Sequence, residues 1–271
     1  MVKFDMGAAW DDTMVLLRSH LPLTGTIAAV FLFLPNLAMS WFGPAPIEPA
    51  AGASMEQIMA AFQQMGREML PYQLLIGVIA AVGGVGILRL WLSRTGTSVG
   101  DALIFALKMV PTMIAVQLLL IVMLGAAVLL LLLPGIGLGG VGGGLLLVVG
   151  LVLFVGLAAY FWGRFAVISP IIADQTVYNP LSAVQGSLAV TKGNGWRIFL
   201  FMFLVIIVFV ITALIIGGVI GIVAGSGEGA GKMIVGLVEA IVGTIGSLVL
   251  LAITGATYRQ LSMAGAQETF R

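Results

Sequence analysis

Apolar residues gather in six long runs along this chain, roughly 21–42, 71–92, 110–133, 141–162, 198–223 and 233–257, with short polar or glycine-rich stretches between them. Each run has about 20 residues or more, the length a helix needs to cross about 30 Å of hydrocarbon. The pattern predicts an all-α polytopic membrane protein: six transmembrane helices arranged as three hairpins, with both chain ends on one side. A second pattern precedes runs one, three and five. Short amphipathic segments at 4–18, 98–108 and 179–192 align on Ala9, Ala102 and Ala183 and again on Met14, Leu107 and Leu188. Ser98 with Asp101 forms a capping-box pattern, and Asn179 before Pro180 suits an N-cap and first helical position. The expected unit is therefore a cytoplasmic interfacial helix plus a hairpin, used three times in parallel, at about 1–92, 96–164 and 177–258 of a single membrane domain, 1–271. Parallel copies argue against an inverted-repeat transporter plan.

Charge orients the map. Of the 12 Lys and Arg residues, Lys3, Arg18, Arg89, Arg94, Lys108, Arg164, Lys192, Arg197, Arg259 and Arg271 fall on the side of the termini, and only Arg67 and Lys232 on the other. The positive-inside rule makes the richer side cytoplasmic. Trp91, Trp162, Trp196, Tyr160 and Tyr258 mark that same level, and Trp41 and Tyr72 the opposite one, as amphipathic rings at a headgroup boundary should. With 61% hydrophobic and 8% charged residues, no room remains for a soluble domain. The absence of Cys removes disulfide, thiolate and Cys-metal chemistry. No cleavable signal peptide is expected, because the first apolar run follows about twenty residues that include Asp5, Asp11 and Asp12. Richness in Gly, Ala, Leu and Val without Cys fits a bacterial inner membrane.

The stretch from Arg164 to Arg197 carries the most distinctive local pattern: Pro170, Asp174, Ala183, Ser187, then Lys192-Gly-Asn194-Gly-Trp196-Arg197. It resembles the segment between the fourth and fifth spans of a six-span bacterial family, the YciC-type inner-membrane proteins, to which the membrane domain of some glycerophosphoryl diester phosphodiesterases is related. The resemblance implies the six-span fold and a loose association with the cell envelope. No part of residues 1–271 is expected to form the phosphodiesterase catalytic domain, so its activity is not implied. Physically, the segment reads as a cytoplasmic elbow. Pro170 should stop or kink the fourth span, Gly193 and Gly195 should permit a sharp turn, and Asp174 is placed to pair with Arg164 or Arg197.

Within the spans, Glu239 is the acidic residue whose burial in hydrocarbon needs a reason, since a charge there costs about 2.5–3.5 kcal/mol on insertion scales. Gly236, Glu239, Gly243, Ser247 and Thr254 fall near one helical face. Glu239, Gln117 and Ser247 thus form the candidate intramembrane polar site, either an outward-opening proton or ligand site or a structural hydrogen bond. Gly217, Gly221, Gly225 and Gly229 recur every fourth residue and suit close helix packing, and Gly135–Gly144 reads as a tight hairpin rather than a phosphate cradle. Pro35 should kink the first span, and His20, alone and without Cys, makes no metal site. Beyond Ser54 and Gln57, Met55, Ile58, Met59, Phe62, Met65 and Met69 follow helical spacing and predict an interfacial helix on the outer leaflet.

No nucleophile–base pair or converging set of metal ligands is visible, which points away from an enzyme and from any cofactor. The leading expectation is a non-enzymatic accessory or assembly subunit in envelope maintenance; the alternative is a carrier of lipid or another amphiphile. Membrane lipids are the expected partners, with other membrane proteins docking on the Met55–Met69 helix or the Gly217–Gly229 face, and no nucleic acid. Tag-accessibility labelling should find both termini on the cytoplasmic side; a terminus outside, or an odd number of crossings, would undo this map.

Overall fold

The computed structural model describes residues 3–19, 21–44, 52–93, 96–224 and 229–269. His20, Arg94, Gly225 and Arg271 lie outside the described residues. Ten α-helices run in chain order among them: α1 Met6–Arg18, α2 Leu21–Ala28, α3 Leu34–Phe42, α4 Met55–Leu92, α5 Val99–Leu138, α6 Gly140–Phe165, α7 Ile168–Gln175, α8 Pro180–Val190, α9 Gly195–Ala224 and α10 Ala230–Thr269. A π-helical turn, Ala29–Phe33, joins α2 to α3. Six of the resulting segments are long and apolar enough to cross a membrane. The protein is an all-α polytopic membrane protein. The irregularity expected at Pro35 takes the form of this π turn, which ends two residues before the proline.

Local start signals work as the residues suggest. Asp5 accepts from the Ala8 N–H at 3.0 Å, and Ser98 from the Asp101 N–H at 3.1 Å. Ser54 and Gln57 form both halves of a capping box, at 2.9 and 3.3 Å. Asn179 accepts from the Leu181 N–H at 2.9 Å, with Pro180 in the first turn of α8.

Two expected interfacial helices are not separate elements. Residues 98–108 form the first turns of α5, a 40-residue helix about 60 Å long. Residues 55–70 are likewise the start of α4, whose 38 residues span about 57 Å, more than the hydrocarbon thickness. The 55–70 stretch therefore continues the second span and does not form a helix of its own. The reason is the absence of a breaker. Gly193 turns the chain after α8 with φ of 78°, whereas Lys108-Met-Val-Pro111 contains only a proline, which the helix absorbs, as it does Pro71 in α4.

The three amphipathic segments nonetheless bury the same face. Ala9, Ala102 and Ala183 are all fully buried, and so are Thr13, Ala106 and Ser187 one turn later. Their seats follow a cyclic order. The first packs on α10 and α9, where Ala9 meets Ile198 and Ile253. The second lies on α4, with Leu103 beside Gly86. The third lies on α5, α6 and α7, where Ala183 and Val184 meet Met109 and Ile168. Each segment thus rests on the hairpin before its own, with the first resting on the last. Gln260 and Arg259 on α10 meet Asp5 and Asp12 at the N-terminus, so both ends share one face of the bundle, the terminal end.

The core is concentrated at that end, around Leu16, Val85, Ile87, Leu88, Ala102, Ala106, Ile171, Ala252 and Ala256. Helix α4 enters it through Gly83-Gly84-Val85-Gly86. A Cβ on Gly83 would lie 2.5 Å from that of Phe31 in the π turn, one on Gly84 3.3 Å from Leu251 of α10, and one on Gly86 3.3 Å from Leu103 of α5. Small residues let three neighbours approach one helix within two turns. Gly83→Val should force the first span outward and cost about 1–3 kcal/mol, read as a lower thermal midpoint in detergent, whereas Gly125→Ala, with open space around it, should leave the midpoint unchanged.

Candidate functional site

The elbow expected between the fourth and fifth spans is present, and its break falls earlier than Pro170. Helix α6 ends at Phe165, Val167 leaves helical geometry at φ −104° and ψ 14°, and α7 restarts at Ile168. Pro170 is the third residue of α7 and is buried, where its missing N–H would have had no intrahelical acceptor.

Arg164 organises the segment. It is 9% exposed, and one of its terminal nitrogens donates to the Leu188 carbonyl at 2.6 Å. Its own carbonyl accepts from Ser187 Oγ at 2.7 Å and Thr191 Oγ1 at 3.1 Å. The guanidinium therefore holds the last turn of α8, where unpaired carbonyls and the helix dipole favour a cation. Arg89, at the end of α4, does the same for α7, donating to the Ala173 carbonyl at 2.6 Å and the Asp174 carbonyl at 3.3 Å, with its guanidinium carbon 4.5 Å from the Phe105 ring centroid. Asn194 is buried and accepts from the Phe4 N–H at 2.9 Å, tying the N-terminal segment to the start of α9. Lys192, Trp196 and Arg197 are exposed around it.

Asp174 does not pair with Arg164 or Arg197. Its carboxylate accepts from the Tyr258 hydroxyl at 2.6 Å, and Gln175 Nε2 donates to the same hydroxyl oxygen at 3.1 Å. The physical reason is direction: Asp174 ends α7 on the side of α4 and α10, and Arg164 faces α8 and α9. Trp91, Ser93, Asp174, Tyr258, Arg259 and Ser262 line a polar cavity of about 230 Å³ there.

The intramembrane candidates are not brought together. Among the described residues no hydrogen bond joins Glu239, Gln117 and Ser247; Ser247 Oγ donates instead to the Gly243 carbonyl of its own helix at 2.9 Å. Gly236 packs against Ser40 and Trp41 of α3, while Glu239, about 60° round the helix, faces α9. It lines a groove of about 400 Å³ with Phe209, Gly217, Gly218 and Gly243. The close packing expected of Gly217 and Gly221 is not made among the described residues, where a Cβ on either would meet nothing within 4 Å. A larger groove of about 530 Å³ lies between α5 and α6, reaching Met202 of α9 and Thr254 of α10, and is walled by Leu120, Leu124, Phe154, Ala158, Phe161 and Phe165.

No family model, curated protein or solved structure matches this chain. Sequence reasoning missed Tyr258 and Arg89 as parts of the elbow. They lie 84 residues from their partners, and the available signal was only an aromatic and a cation at span ends. Tyr258→Phe should remove the hydroxyl's bonds to Asp174 and Gln175 and cost about 1–2 kcal/mol, measured as a thermal midpoint lowered by a few degrees.

Proposed function

We propose that this is a non-enzymatic accessory or assembly protein of a bacterial inner membrane, with cytoplasmic termini, that serves envelope maintenance by holding membrane lipid. The likeness to YciC-type proteins belongs to the same proposal. The observation that carries it is the apolar groove between α5 and α6, whose volume of about 530 Å³ falls within the range of about 300–1,000 Å³ that suits small-molecule ligands. Its walls offer an acyl chain aromatic and aliphatic surface. Polar groups that could serve chemistry are few: among the described residues no three His, Asp or Glu side chains converge.

A lipid carrier is the second reading, favoured by Glu239 on the α9–α10 groove. A carrier needs a polar path, and the hydroxyls of Thr26, Thr212, Thr244, Ser247 and Thr254 each donate to a carbonyl of their own helix. The static accessory role is therefore preferred.

Native mass spectrometry after gentle extraction should show retained lipid, and Ala158→Trp, which fills the groove, should reduce it several-fold. Extraction of a protein that carries neither lipid nor partner, together with an unaltered envelope on deletion, would remove the basis of this reading.

A further inference from the structure

The elbow holds a buried cation whose hydrogen-bonding capacity is only partly used. Arg164 is nine-tenths buried, and its Nε and second terminal nitrogen have no hydrogen-bond partner among the described residues. Arginine keeps its charge under all ordinary conditions, so the usual escape of a buried ionisable group, neutralisation, is closed. The ion pair formed among the described residues joins Arg259 to Asp12 and involves none of the elbow's cations. Lys192 and Arg197, exposed close to Gly195 along the chain, add charge of the same sign.

One nitrogen is taken by the Leu188 carbonyl of α8, and the α9 side of the group favours an anion. The Arg164 side chain crosses the first residue of α9, since a Cβ on Gly195 would fall 2.8 Å from Arg164 Cδ and 2.9 Å from Tyr160 Cε2. The first N–H groups of a helix have no intrahelical acceptor and carry the positive end of the dipole, here of a 30-residue helix. A guanidinium fork matches two phosphate oxygens. The ring of Tyr160 lies 5.9 Å from the guanidinium carbon and 6.0 Å from the Trp196 ring, which is 49% exposed, so the site sits among the aromatics of the headgroup level.

We propose that the elbow binds the phosphate of an anionic membrane lipid, with Arg164 as the bidentate donor and Lys192, Arg197 and the first turn of α9 supplying further positive charge. Just past its first turn α9 passes into Phe199, Leu200 and Phe203, which favours a phosphate that arrives on a lipid over one from solution. Arg164 does not line the α5–α6 groove, so this headgroup site goes beyond the groove reading and is tested apart from it.

The full-length protein, titrated in detergent with phosphatidylglycerol, phosphatidylcholine or inorganic phosphate and read by native mass spectrometry, provides the test. Wild type should take up phosphatidylglycerol several-fold more than phosphatidylcholine, with inorganic phosphate failing to compete at equal concentration. Arg164→Lys, which keeps the charge without the fork, and the surface pair Lys192→Gln with Arg197→Gln should each lower that ratio severalfold. Ala158→Trp should lower both lipids and leave the ratio unchanged. Equal uptake of the two lipids by wild type, or an undiminished ratio in both the Arg164→Lys and the Lys192→Gln/Arg197→Gln proteins, would overturn the proposal. Effective competition by inorganic phosphate would overturn its assignment to lipid.

Discussion

Close approach of helix backbones at glycine is the interaction on which this structure depends. In hydrocarbon the burial of an apolar side chain gains little over its exposure to lipid tails, so association rests on contact area, hydrogen bonds and shape. Gly83, Gly84 and Gly86 admit Phe31, Leu251 and Leu103 to three sides of one short stretch of α4. Gly163 serves the fourth and fifth spans in the same way, because a Cβ there would sit against the Gly195 carbonyl. These contacts lie toward the terminal end, and so does nearly all of the buried core.

That concentration shapes the other half of the molecule. Where α9 and α10 diverge, Gly217, Gly218 and Gly221 face open space, and a groove containing Glu239 results. The second hairpin stays closed at its far tip, where Gly143 approaches the Gly135 carbonyl and Gly150 that of Leu131, yet α5 and α6 leave the larger groove between them lower down. Tight ends and open flanks are thus two results of one distribution of small residues. The short helices at the terminal end are fixed by a repeated device, an arginine at the end of a span bonded to the final carbonyls of α7 or α8.

The spans and their caps were legible because length, hydropathy and N-cap chemistry are local properties. Leu21–Phe42 coincides with the run seen in the sequence, and Ser54, Ser98 and Asn179 cap as their spacing suggests. The fusion of residues 98–108 and 55–70 into longer helices was not legible, since the change from amphipathic to wholly apolar pattern marks two environments and need not mark two helices. At the elbow, Arg164, Ser187 and Asn194 were identified as a group, but the partner of Asp174 was misjudged. Charge complementarity favoured a nearby arginine, whereas the fold presented a tyrosine from the last helix. Glu239 was located on the correct helix and rotated away from its supposed companions, because a stripe drawn over nineteen residues tolerates a 60° error that a side chain does not.

The cyclic seating of the amphipathic segments has a consequence for biogenesis. Helix α1 is made before its seat on α9 and α10; the hydrogen bond from Phe4 to Asn194 closes a separation of 190 residues. At about 5–20 residues per second, translation imposes a delay of roughly 10–50 s before that seat exists. During that interval the N-terminal segment lacks the seat it occupies in the finished bundle. Completion of the third hairpin is therefore the event that shuts the ring, and a chain halted before it would present the bare flanks of the first and second hairpins to the bilayer.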